Sequence, residues 1–492
     1  MLLFICSCEN NNWINNNKSY EYIISIYHDK KNEIVDTVSI TNRKIFVLSD
    51  LPNFDDEDYY FLGYSINNDD EYINSKDEYQ IESDITIYAK FAISKTIFEI
   101  GDIGKVEITA NDNITSKEEY VQCTVSISDN NYTLDQTEAN IRLRGNSSLV
   151  VDKKSYKLKF NEKYDVFGMG NDKEWALIAN YYDPSHLRNF YAYRLALAME
   201  MEYAVECKFV NVFLNGEAQG LYLFVETIKT SKNRVNIEDG YDVNNNEIPF
   251  LLELDYKLEE NDPNYMDKVN EEFFLLDNSI YNGKAYQFAT KYPKTFTEEH
   301  ITPSQFQYIK DYMHNVYESA RNLTYDEFID VDSFIDYYLI QELFMNIDMD
   351  YSSVFMYKPF GEKLHMGPVW DFDISSGNCA YVGNYDPYHK MSEVNYGSYI
   401  FNTLMQDPKF HSKFLERLNE LNKYIIPDMI NSFNINFSTI RNYAKNDNLI
   451  WNNLNQENWV RPNHLVELSY EEQVNYLKNY LHEHYNWMKN NM

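Results

Sequence analysis

Asn346-Ile-Asp348-Met-Asp350 and Pro368-Val-Trp-Asp371-Phe-Asp373 set three aspartates, Asp348, Asp371 and Asp373, in strongly apolar sequence. Met345 and Ile347 flank the first, and Val369-Trp370 precedes the other two. A carboxylate among core residues is expensive to bury unless a metal or hydrogen bonds compensate it. Between the two segments, Val354–Lys358 and Lys363–His365 read as a hairpin turning at Phe360-Gly361-Glu362. Phosphoryl transfer needs such an arrangement. One carboxylate positions the attacking hydroxyl, and separate carboxylates hold Mg²⁺ against the phosphates. In protein kinases these two roles lie about twenty residues apart across a hairpin, and Asp348 and Asp371 have that spacing. A capped Asp in a turn is the ordinary reading of any one of them. The set points to chemistry, because perturbed carboxylates gather at functional sites.

A second constellation lies upstream. Arg142-Leu-Arg144-Gly145-Asn146-Ser147-Ser148 is followed by Lys153-Lys154-Ser-Tyr-Lys157-Leu-Lys159. A strand, a turn of small residues and a basic strand can cradle phosphate with backbone N–H groups and an ammonium. Tyr156, Leu158 and Phe160 alternate with Lys157 and Lys159, which puts both lysines on one strand face. Taken alone, a basic strand is as readily a solvated face. The segment is a cationic island in a very acidic chain, with 43 Lys+Arg against 77 Asp+Glu and a net charge of −34. That surface repels phosphate backbones, so no nucleic-acid partner is expected. A nucleotide site must be a local exception to the global field.

At 492 residues the chain is too long for one ordinary core. Residues 1–18 read as a lipoprotein signal remnant and an Asn-rich linker. Ile5-Cys6-Ser7-Cys8 fits a lipobox, which makes Cys8 a candidate lipid anchor and the only expected contact with a membrane. Residues 19–92 read as a small β module, with strands at Tyr20–Tyr27, Lys44–Leu48 and Ile85–Phe91. Residues 103–492 form the main domain. Its first part, about 103–230, is strand-rich, with alternation at Lys105–Ala110, Tyr120–Ser128, Ala139–Arg144 and Ser155–Phe160. Phe209–Leu214 and Gly220–Ile228 read as a hairpin turned at Asn215-Gly216. A helix is expected at Pro184–Met201. The second part, about 231–492, turns helical, at Ser304–Ala320, Val331–Asn346, Phe401–Leu421 and Tyr470–Lys489. The fold class is therefore α+β, a β-rich lobe before a helical lobe. Cys123, Cys207 and Cys379 sit in apolar sequence as buried thiols, and no Cys-x-x-Cys pair occurs to suggest a zinc ribbon.

Several motifs together resemble one family. They are Ile141-Arg-Leu-Arg-Gly-Asn-Ser-Ser148, Lys153-Lys-Ser-Tyr-Lys-Leu-Lys159, Trp175-Ala-Leu-Ile-Ala-Asn-Tyr-Tyr-Asp183, Leu187-Arg188-Asn189, Asn215-Gly-Glu217 to Gly220-Leu-Tyr-Leu223, and Val369-Trp-Asp-Phe-Asp373. In this order, over roughly residues 103–490, the chain resembles the CotH (spore-coat) atypical protein kinases. The resemblance implies a bilobal kinase-like fold that phosphorylates Ser or Thr of protein substrates outside the cytosol, using ATP with Mg²⁺ or Mn²⁺. It also implies Asp348 as the catalytic residue and Asp371 as a metal ligand, with Asp373 and Asn378 in the same motif. Arg144, Gly145, Asn146 and Ser147 would take the nucleotide phosphates. Lys159 is the first choice for a phosphate-contacting lysine and Lys154 the second. Glu226 is either a hinge residue or a lysine partner. Ser353 stands where the family often has Asn, and would contact a second metal through its hydroxyl. Tyr60–Tyr64 and Ile85–Phe91 are similar to the Listeria–Bacteroides repeat, a β-grasp-like surface module, with Tyr64 and Phe91 where Trp is common. Two other functions fit the residues: a non-catalytic binding module that keeps the fold, and a metal-dependent hydrolase using the same aspartates. Intact Asp348 and Asp371 oppose the first. The lack of a second cluster of His or Glu opposes the other.

Overall fold

The computed structural model describes residues 21–492 apart from 53, 55, 69–71, 74–76, 240, 241, 243, 256–264, 277–284, 350, 381–385, 395–397 and 457–459. The expected lipobox, the Asn-rich linker and Asp350 lie outside the described residues. The fold is mixed α+β, in two compact units, Met1–Thr96 and Ile97–Met492. Among the described residues no helix is long and apolar enough to cross a membrane.

The first unit contains β1 (Glu21–His28), β2 (Glu33–Thr41), β3 (Ile45–Phe46), β4 (Tyr59–Ser65), β5 (Tyr79–Gln80) and β6 (Ile85–Ser94). The sheet order is β2-β1-β6-β4, with β3 and β5 paired separately. Alternation in β1 buries Ile24 and Ile26 against Ile87, Ala89 and Phe91 of β6. The sequence reading had no strand over β2. Ile40 is the only fully buried residue of β2, so this edge strand carries almost no alternating signal.

The second unit opens with seven strands closed into a barrel. They are β7 (Gly104–Ala110), β8 (Val121–Ser128), β9 (Thr133–Arg144), β10 (Ser155–Asp165), β11 (Asn171–Ile178), β12 (Cys207–Leu214) and β13 (Glu217–Glu226). The order is β10-β11-β13-β12-β7-β8-β9, and parallel pairing of β12 with β7 completes the ring. Inward residues alternate along each strand, among them Ile108, Val125, Ile141, Leu158, Trp175 and Phe224. Helix α1 (Arg188–Ala198) connects β11 to β12. It starts four residues later than Pro184 suggested. The Asp183 carboxylate ties up a turn there, accepting from the N–H groups of Ser185 and Arg188.

Beyond the barrel come β14 (Phe250–Leu254), α2 (Tyr265–Lys268), β15 (Phe273–Leu276), β16 (Tyr286–Tyr292), α3 (Pro303–Asn322), α4 (Val331–Phe344), β17 (Val354–Lys358) and β18 (His365–Met366). Helices α5 (Met391–Val394), α6 (Tyr399–Leu404), α7 (Pro408–Leu421), α8 (Ile425–Trp451) and α9 (Tyr470–Asn491) complete the chain. The part read as the helical lobe thus holds a five-stranded sheet, ordered β15-β16-β14-β17-β18, of which only the β17–β18 hairpin was expected. The single helix expected over Phe401–Leu421 is two helices. Pro408 occupies a first-turn position, and the Asp407 carboxylate caps α7 by accepting from the Lys409 N–H.

Candidate active site

Helix α4 delivers the first aspartate. It ends on Met345 in the left-handed conformation, φ 48°. The chain then turns tightly, with the Tyr351 and Ser352 N–H groups donating to the Asp348 carbonyl at 2.9 and 3.0 Å. Ser353, at φ 60°, leads into β17, and the hairpin with β18 returns the chain to Pro368-Val-Trp370. Asp371 is itself left-handed at φ 66°. A non-glycine residue is held there only where its surroundings over-determine it. Its carbonyl accepts from the Asn346 amide at 3.4 Å, and its carboxylate accepts from the Ser353 hydroxyl at 3.2 Å. The next N–H, of Phe372, donates to the Asn189 side chain on α1 at 2.8 Å. Asn189 in turn donates to Asn180 at 3.2 Å. The Asn378 amide donates to the Asp373 and Tyr182 carbonyls at 2.7 and 2.8 Å.

Arg188 braces the far side of this loop. Its guanidinium pairs with Asp183 at 2.6 Å and donates to the Ser375 carbonyl at 2.9 Å, with all three residues fully buried. The ion pair and the loop contact come from one side chain, so α1 and the aspartate loop are held as a unit.

Asp348, Asp371 and Asp373 line one cleft with Arg144, Gly145, Asn146, Ser147 and Tyr193. Gly145 has φ +97°, and a Cβ there would lie 1.9 Å from the Ser148 hydroxyl, so the turn admits only glycine. The Arg144 guanidinium lies 5.1 Å over the Trp370 ring, and Tyr193 stacks on the same ring at 5.6 Å.

The carboxylates are half-buried, within reach of a ligand yet poorly hydrated. Burial pushes Asp348 up to about 7, and the charges of Asp371 and Asp255 add to it. Burial also raises Asp371, against the opposing pull of Arg144 and the Ser353 hydroxyl. Asp373 is driven well above the usual range by burial first, then by Asp371, Asp183 and Asp348. Three crowded carboxylates face Arg144, with Arg188 behind them already paired to Asp183, so the cleft is short of positive charge. A divalent cation fits that deficit. Among the described residues no group of three or more His, Cys, Asp or Glu side chains is placed to hold a metal ion by itself. Mg²⁺ commonly takes one or two carboxylates and completes its shell with phosphate oxygens and water. The donor set here therefore suits a cation that arrives with a nucleotide.

Other expected residues are not brought to this cleft. Lys159 sits 3.8 Å from Glu174, which also pairs with Lys157 at 2.6 Å on the same strand face. Lys154 donates to the Leu149 and Val151 carbonyls. Glu226 pairs with Arg234, accepts from the Glu206 N–H at 2.9 Å, and is raised to about 7 by burial. It lines a different pocket with Arg234 and Pro368. The buried lysine of the motif is Lys153. It is fully enclosed, 2.7 Å from Asp447 of α8, and donates to the Ala179 and Leu221 carbonyls at 2.8 and 2.6 Å. Two adjacent lysines at a strand entry gave no way to tell which turns inward.

A family model described as CotH kinase protein matches residues 141–488, a span that contains every residue named in the cleft. No curated protein matches the chain.

Proposed function

The chain belongs to the CotH kinase family, and from that premise we propose that it is an ATP-dependent atypical protein kinase acting on Ser or Thr of extracytoplasmic proteins. In this reading the barrel and the helical part are the two lobes, and residues 19–92 are a β-grasp-like surface module. One observation carries the proposal: the glycine turn at Gly145 and the three aspartates line the same cleft. Asp348 orients the acceptor hydroxyl and takes its proton, which suits a carboxyl raised to about 7. Asp371 and Asp373 hold a divalent ion, Mg²⁺ or Mn²⁺, with Ser353 fixing the Asp371 carboxylate by its hydrogen bond. Backbone N–H groups from Gly145 to Ser147, with the Arg144 guanidinium, receive the phosphates. The bound ion neutralises charge on the transferred group.

A non-catalytic, partner-binding role draws on the absence of Lys154 and Lys159 from the cleft, where Arg144 is the cation instead. Terminally labelled ATP with the purified chain, Mg²⁺ or Mn²⁺ and a protein acceptor separates these readings. Label on Ser or Thr that disappears with chelator is the expected result. Free phosphate alone would favour a hydrolase, and neither binding nor transfer would favour the partner-binding role.

The proposal includes lipidation at Cys8. Expressed behind a lipoprotein signal segment, the protein should fractionate with membranes, and Cys8→Ala should release it. A variant that stays membrane-bound overturns the anchor.

A further inference from the structure

Strand β14 ends on Leu254, and Asp255 follows it, buried and with its N–H donating to the Gln287 carbonyl at 3.1 Å. The Asp255 backbone is therefore fixed to the sheet. Its carboxylate accepts from the Ser352 hydroxyl at 2.9 Å. Ser352 closes the turn that begins at Asp348, its N–H donating to the Asp348 carbonyl at 3.0 Å. The next residue, Ser353, is left-handed at φ 60°, and its hydroxyl donates to the Asp371 carboxylate at 3.2 Å. Two consecutive serines thus bond two different carboxylates, one anchored in the sheet and one in the cleft. Together they tie down the C-terminal end of the turn that carries Asp348. No sequence signal marked Asp255, which stands outside both aspartate motifs.

We propose that Asp255 is a positioning residue of the phosphoryl-transfer site, holding the Asp348–Ser353 turn through Ser352 so that Asp348 and the Asp371-bound Ser353 keep their geometry together. The inference rests on the kinase reading for its catalytic consequence but not for the clamp itself. Asp255 does not line the cleft; it fixes the turn through Ser352, and its charge also raises Asp348, so it should affect the transfer step and not nucleotide affinity. A misplaced reacting group lowers rate steeply even when nothing in the binding contacts has changed.

The test is a cycle of Asp255→Ala, Ser352→Ala and the double variant in the full chain. Each single variant should lower kcat between about tenfold and a hundredfold, with KM for ATP within about twofold of the parent, since the phosphate-binding turn is untouched. The double variant should be no worse than the poorer single one, because both remove the same bond. Asp255→Asn keeps an oxygen acceptor for Ser352 and should restore most of kcat. Multiplying losses, an unchanged kcat, or a loss confined to KM would each overturn the assignment. Amide exchange gives a second readout that needs no activity. Residues 351–353 should exchange at least about tenfold faster in Asp255→Ala, with residues 144–148 unchanged; uniform exchange across both segments overturns the clamp. If the parent chain transfers no phosphate, the kinase reading fails by that result, while the exchange comparison still decides the clamp.

Discussion

Asp348→Asn should lower phosphoryl transfer by about 100-fold or more while leaving binding of metal-loaded ATP close to that of the parent. The loss is the scale expected when a general base is removed. Asp348 would touch the acceptor and not the phosphates, so the nucleotide contacts remain. Asp371→Asn is its complement. It removes a charged ligand from the cation and should weaken metal-dependent ATP binding together with transfer. Both amides should leave the fold intact. Each replaces a crowded carboxylate, whose ionisation burial already opposes, by a neutral group of the same shape. Calorimetric titration with ATP and Mg²⁺, run beside a transfer assay, checks both. Parental transfer by Asp348→Asn would remove it from the catalytic role. Parental metal-dependent binding by Asp371→Asn would remove it from the metal.

Lys153→Met should cost about 3–5 kcal/mol of folding stability, the range seen when one member of a buried ion pair is deleted. Lys153 and Asp447 are both fully enclosed and 2.7 Å apart. His186 lies 3.7 Å from the other Asp447 oxygen, its ring held down at about 4 by burial first, with the charge of Lys153 adding to it. Asp447 also accepts from the Leu221 N–H at 2.8 Å and leaves no room for a Cβ at Gly220, which would come within 2.1 Å of it. The bond joins α8 to the barrel strand β13. The double variant Lys153→Met with Asp447→Asn should recover most of the loss, since it removes the stranded charge and keeps an acceptor for Leu221. Denaturant unfolding of the three proteins checks this. A loss below about 1 kcal/mol in the single variant, the scale of an exposed pair, would contradict it.

What could be read from the sequence followed periodicity. Strands of the barrel alternate a buried and an exposed face, so Lys105–Ala110 or Ser155–Phe160 announced themselves. Strand β14, Phe-Leu-Leu-Glu-Leu, is buried at every position and has no period to read. Helix α8 was missed for a related reason. Its buried stripe contains Asn436 and Asp447 beside Met429, Phe433 and Ile440. Polar residues in a core stripe erase the signal that identifies an amphipathic helix. Asn436 is there to donate to the Phe98 carbonyl, and Asp447 to hold Lys153, and neither need is visible locally. The aspartates of the cleft stood out because apolar neighbours made their charge conspicuous. Asp255 did not, because its partner Ser352 lies almost a hundred residues along the chain. Which lysine of a basic strand turns inward was likewise a tertiary matter.

The ring of strands has a bearing on how the molecule comes into being. One seam joins Gly104–Ile108 to Val210–Leu214, and helix α1 is spun out between the two sides before they meet. Until residue 214 is free of whatever is delivering the chain, β7 presents an unpaired edge, the kind of surface that recruits other chains. Closing a seam between such distant segments carries a loop entropy that local helices avoid, and places the unit among slow folders. Once β13 has also paired with β11 and β12, every strand of the barrel has a neighbour on both sides. For the barrel, vulnerability to misassembly is thus concentrated in synthesis, before its strands are all paired.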